Sequence, residues 1–115
     1  MRELDETMAA FWSDLKAKGH AERVCLMAFS EFGRRARENG SRGTDHGRAG
    51  PLFMMGPRVS GGLKGKHPSL DHLEGGDLAH TIDFRQVYAS VIDQWFGKDH
   101  RVVFGREFSA LPLFD

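Results

Sequence analysis

Between Ser30 and Gly50 the chain reads SEFGRRARENGSRGTDHGRAG. Glu31, Asp45 and His46 are the groups there that could hold a divalent cation or move a proton. Carboxylate oxygens suit hard ions such as calcium and magnesium, and an Asp-His pair suits zinc, manganese or iron. Five arginines, at positions 34, 35, 37, 42 and 48, crowd the same stretch. Guanidinium forks match the oxygens of phosphate and sulfate, which makes Arg34 a candidate oxyanion contact. Each group also has a plainer reading. Glu31 can pair with Arg34 or Arg35, Asp45-His46 can be a polar turn, and the arginines can simply keep a loop solvated.

What surrounds these residues decides where they sit. Val24 to Phe29 is an unbroken apolar run just before Glu31, the pattern of a strand covered on both faces, and it predicts a buried parallel strand over 23–29. In open α/β sheets, ligands bind at the carboxyl ends of such strands. Upstream, Leu4, Met8, Phe11, Trp12 and Leu15 recur at helical spacing, acids open the segment and Gly19 ends it, predicting a helix over 3–18. Downstream, residues 34–50 show no periodicity and read as a structureless loop. The run PLFMMG predicts a second strand over 51–55, Gly61-Gly62 carries a hairpin signal, and 71–82 reads as loop. Phe84, Val87, Tyr88, Val91, Ile92, Trp95 and Phe96 form an apolar stripe, with Asp83 and Gln86 as a capping box and Gly97 as the stop. That is a helix over 83–96. The tail from Arg101 reads as an edge strand followed by apolar residues that need a surface.

At 115 residues, with 40% hydrophobic and 28% charged, the chain has the composition of one globular domain able to bury a core. Sixteen basic and sixteen acidic side chains cancel, so no global field draws in nucleic acid or an anionic membrane. Cys25 is the only cysteine, which excludes an internal disulfide and a cysteine-based zinc site. The N-terminus lacks a signal peptide's order of basic then apolar residues, so the expected compartment is the cytoplasm. Two helices and two or three short strands do not complete a doubly wound sheet. A single partial domain, residues 1–115, is expected, as the C-terminal portion of a larger α/β domain.

In that order, SEFGR, ENGSRGTDHG, GLKG, PSL, DFRQVYASVIDQWFG and FSALPLF resemble the bacterial family called domain of unknown function 1501, whose members are similar to sulfatases and alkaline phosphatases. The resemblance implies a mostly parallel, alkaline-phosphatase-like sheet with flanking helices. It implies a divalent metal (zinc, calcium, manganese or magnesium) held by Glu31 and His46, with Asp45 as an extra ligand or orienting group. An intact relative would hydrolyse a sulfate or phosphate ester, with Arg34 on the oxyanion. The superfamily's nucleophile and remaining acids lie in an N-terminal half that this chain lacks, so no catalysis is expected of it alone. Relatives usually carry a twin-arginine export signal. The alternative is a non-catalytic assembly module that pairs with a separately encoded N-terminal half, or with copies of itself through exposed apolar faces.

Overall fold

The computed structural model describes residues 2–115. Helix α1 spans Arg2–Ala17 and stops where Gly19 turns left-handed, at φ 69°. A short 3-10 turn, Ala21–Arg23, leads into β1, Leu26–Ala28. There follow β2 (Gly33–Glu38), β3 (Thr44–Gly47), β4 (Phe53–Met55), β5 (Leu73–Glu74) and β6 (Asp77–Leu78). Helix α2, Phe84–Ser90, runs into a π-helical turn, Val91–Trp95, and α3 covers His100–Phe104.

The strands form three separate two-stranded antiparallel ribbons, β1–β4, β2–β3 and β5–β6. The parallel sheet that the apolar runs predicted, and that the resemblance implied to be alkaline-phosphatase-like, is therefore not what these residues build. A parallel neighbour needs a long crossover, usually a helix. Between β1 and β4 the chain instead makes the β2–β3 hairpin, and β4 returns antiparallel, with Met27 opposite Met54. The tail corrects a second expectation, because Asp99 caps a helix where an edge strand was read. Residues 34–50 and 71–82, read as loop, each contain a hairpin. Asn39 builds the β2–β3 turn, its side-chain oxygen accepting from the amides of Ser41 and Gly43, both at 3.0 Å. Gly75 and Gly76, at φ 62° and 86°, close β5–β6 as a two-residue hairpin. The Gly61-Gly62 signal makes no hairpin. Val59 nearby forms only an isolated bridge to Phe114.

The best-packed region lies under α2. Its N-terminus carries the capping box read from the sequence: Asp83 accepts from the Arg85 amide at 2.9 Å, and Gln86 accepts from the Asp83 amide at 3.2 Å. Along one face, Gln86, Ser90 and Gln94 hold the extended tail. Gln86 donates to the Ser109 carbonyl at 3.2 Å, Ser90 accepts from the Leu111 amide at 2.7 Å, and Gln94 donates to the Leu111 carbonyl at 2.7 Å. Leu113 is buried as a result, and Trp95 packs on Phe114 with ring centres 5.6 Å apart.

Elsewhere the core is thin, contrary to what the composition suggests. Ala21, Val87, Ala89 and Leu113 are the buried apolar residues among those described, and α1 buries none of its side chains. The accessible surface is 8630 Å², roughly 2,300 Å² more than a compact chain of this mass exposes. The radius of gyration, 16.6 Å, exceeds the about 13 Å of a compact domain this long. No helix among the described residues is long and apolar enough to cross a membrane.

The helix caps set an acid limit. The Arg85 guanidinium, then the Arg85 amide, hold the Asp83 carboxyl at about 2, and Arg101 does the same for Asp99, the cap of α3. A carboxyl whose pKa falls on folding stabilises fully above its unfolded value, about 4. That stabilisation is lost as pH drops from there through about 2. Far-UV helicity is expected to fall across that window. Asp83→Asn with Asp99→Asn, which keeps both caps but removes the charge, should flatten the fall, and an unchanged acid transition in that variant would refute the assignment.

Candidate functional site

Glu31 lies exposed in the bend after β1, and Phe32 begins the path into β2. Gly33 and Gly47 face each other across β2–β3, followed by Arg34 opposite His46. Their lack of side chains permits close approach. A Cβ on Gly33 would stand 1.5 Å from the Ala49 carbonyl oxygen, and one on Gly47 would stand 2.7 Å from the Arg34 carbonyl carbon. The chain after β3 thus folds tightly over the start of β2.

On this platform the His46 imidazole stacks on the Phe32 ring, centres 3.7 Å apart and 13° from parallel. The Arg34 guanidinium carbon lies 5.4 Å from the centre of the same ring, and Arg34 donates to the Thr44 carbonyl at 2.8 Å. Arg34 and His46 are therefore brought together. Asp45 is not with them. Neighbouring strand residues point to opposite faces, and Asp45 accepts from the Asn39 amide group at 3.0 Å on the turn side. Glu31, Asp45 and His46 do not form a group with ligand atoms within 4.8 Å of one another, among the described residues. With a guanidinium beside an exposed imidazole, the His46 face suits an anion better than a cation.

The other arginines have structural partners that sequence reasoning missed. Asp77 is buried on β6, where Arg35 reaches it at 3.3 Å and Arg48 at 3.7 Å. Arg35 also donates to the Gly75 carbonyl at 3.2 Å, tying the two hairpins together. Spacing of 42 residues between Arg35 and Asp77 left no local signal.

Metal-ligand spacing appears elsewhere. Asp93, Asp99 and His100 bring two carboxylates and an imidazole within 4.8 Å of one another. Seven residues separate Asp93 from His100, and the turn at Gly97, φ 61°, folds His100 back onto Asp93. His100 is buried, and its Nδ1 lies 2.8 Å from one Asp93 oxygen and 3.0 Å from the other. The Phe108 amide donates to its Nε2 at 3.0 Å, which places the ring proton on Nδ1. The His100 amide, first, and its ring hold the Asp93 carboxyl below the usual range. Two carboxylates and an imidazole are a donor set for zinc or manganese. Both ring nitrogens are nevertheless occupied, so a cation here would meet the carboxylates alone unless the tail let go.

No curated protein and no solved structure matches the chain. A family model does match, over residues 1–106, and its description is "Protein of unknown function (DUF1501)". That span includes the β2–β3 platform and the Asp93–His100 lock. The chain belongs to this family.

Proposed function

We propose that the chain is a non-catalytic assembly module, acting through association that covers its apolar faces. The observation that carries this is α1, a 16-residue helix with no buried side chain on a chain that exposes roughly 2,300 Å² beyond a compact one. Apolar side chains left in water along one helix, such as Leu4 and Phe11 at 42% and 47% exposed, mark association sites where they are contiguous. Among the described residues the Ser30 hydroxyl accepts from the Phe32 amide, and no hydrogen bond joins the Thr44 hydroxyl to a base, although His46 shares its face of β3.

A second reading is favoured by the stacked Phe32–His46 pair with Arg34 beside it. In it the hairpin is one wall of the metal and oxyanion site of a sulfate- or phosphate-ester hydrolase, completed by groups from another polypeptide. Glu31 and Asp45 would reach a metal only after the hairpin rearranged around it.

One experiment separates the two. The chain is titrated with zinc, manganese, calcium or magnesium in the presence of aryl sulfates and aryl phosphates. The expected result is no turnover above the free-metal background. A metal-dependent rise in Tm that disappears in His46→Ala would support the second reading. Turnover that His46→Ala abolishes would sink the assembly reading.

A further inference from the structure

Asn39 is the only asparagine of the chain, and Gly40 follows it in the turn between β2 and β3. Asparagine is thermolabile, and a glycine after it leaves its side-chain carbon open to attack by the next backbone nitrogen. We infer that Asn39 is a site of spontaneous modification, closing onto the Gly40 nitrogen and ending as aspartate or isoaspartate. This goes beyond the assembly reading and does not rest on it.

The turn presents the groups that ring closure uses. Gly40 is exposed, a Cβ there would meet nothing within 4 Å, and its amide donates to no group among the described residues. The attacking nitrogen is therefore uncommitted and uncrowded. It belongs to the peptide whose carbonyl, that of Asn39, accepts from the Arg42 amide at 3.1 Å. That bond draws electrons from the peptide and eases loss of the nitrogen's proton. Asn39 Oδ1 accepts from the amides of Ser41 and Gly43, both at 3.0 Å. Attack at Cγ turns Oδ1 into an oxyanion, which these two amides hold more strongly than they hold a neutral carbonyl. Both reacting groups lie on adjacent residues, so no second molecule has to be brought in for this step.

The bond from the Gly40 nitrogen to Asn39 Cγ forms, the bond from Cγ to Nδ2 breaks, and the Gly40 amide proton leaves with Nδ2 as ammonia. Water then opens the cyclic imide. Addition at Cγ gives aspartate. Addition at the main-chain carbonyl carbon gives isoaspartate, in which the chain runs through the side chain and is one methylene longer. Either product puts a carboxylate in place of the amide group that donates to Asp45 at 3.0 Å. Two carboxylates there repel, and the longer chain breaks the bond from the Asn39 amide to the Gly43 carbonyl, now 2.8 Å. The turn holds Arg34 opposite His46, so the modification releases that pair.

The full chain is kept at mildly alkaline pH and followed by isoelectric focusing, ammonia release and peptide mapping. An acidic species should accumulate with ammonia, its mass change confined to the peptide that contains position 39 and isoaspartate exceeding aspartate. Its rate in the folded chain should equal or exceed the rate for the same chain unfolded in urea. Gly40→Ala, which the open space around Gly40 accommodates, should slow it at least about tenfold, a barrier rise of about 1.4 kcal/mol. In the isolated acidic species the ring-current shift on the His46 protons should be lost. Failure of the acidic species to form, or its persistence in Asn39→Gln, overturns the inference. A folded chain modified more slowly than the chain in urea also overturns it, since the turn then shields Asn39. A retained His46 shift in the acidic species overturns the release of Arg34 and His46.

Discussion

Gly33→Ala is expected to destabilise the chain by about 3 kcal/mol or more, the upper end of what overpacking costs. The added methyl would stand 1.5 Å from the Ala49 carbonyl oxygen and 2.2 Å from its carbon. Both atoms belong to backbone, so no side chain can swing aside. Either β2 separates from β3 or the Ala49–Gly50 segment lifts. Both movements disturb the surface on which His46 stacks against Phe32. Gly40→Ala is the matching control. Gly40 sits in the turn of the same hairpin, with nothing within 4 Å of its added Cβ and no left-handed backbone. Its effect is expected within about 0.5 kcal/mol. Denaturant midpoints measure both variants, and the ring-current shift on the His46 protons reports the stack. Equal midpoints for the two would show that the close approach of Ala49 to Gly33 is not maintained in solution.

Ser90→Ala is expected to cost about 1–3 kcal/mol, the penalty of leaving a buried amide without a partner. Ser90 is fully buried, and its hydroxyl donates to the Gln86 carbonyl at 2.6 Å while accepting from the Leu111 amide at 2.7 Å. Removing the hydroxyl leaves the helix its own hydrogen bonds, so far-UV helicity should hold. Hydrogen exchange at Leu111 should accelerate, because that amide has no other acceptor among the described residues. Leu113 donates at 3.3 Å to Gln94 and should be affected less. Unchanged protection at Leu111 would mean that the tail is held by its apolar contacts and not by the row of polar side chains.

The sequence was most legible where burial imposes a period. Both long helical stripes were readable, and so were their glycine stops at Gly19 and Gly97, because helical packing repeats every three or four residues. Positions of β1 and β4 were readable as apolar runs, but their direction was not. Apolar content reports coverage of both faces, whereas direction depends on the connection between the strands. The β2–β3 hairpin left no such trace. Residues Arg34 to Glu38 are all exposed, so the strand is held by Asn39 at its turn and by glycines, not by an apolar face. Arg34 and His46 were singled out for their separate chemistry, and their pairing across β2–β3 was not readable because 34–50 showed no strand period. Asp45 was grouped with His46 on adjacency, which in a strand places the two on opposite sides. The Asp77 and His100 contacts depend on chain reversals whose signals, Gly75-Gly76 and Gly97, were present but do not say what they bring together.

The π-helical turn at Val91–Trp95 has a consequence for how this chain can vary. Its amide-to-carbonyl bond from Phe96 to Val91 spans five residues, one more than an α-helix allows. The turn therefore stores one residue beyond the regular count. Deleting one residue there would restore regular winding and leave the helix on either side in its present register. Deleting one between Gln86 and Ser90 would instead turn Gln94 by about 100° away from the face it shares with Gln86, and the tail would lose part of its hold. The turn is a place where a change of length is absorbed locally, without disturbing what lies beyond it.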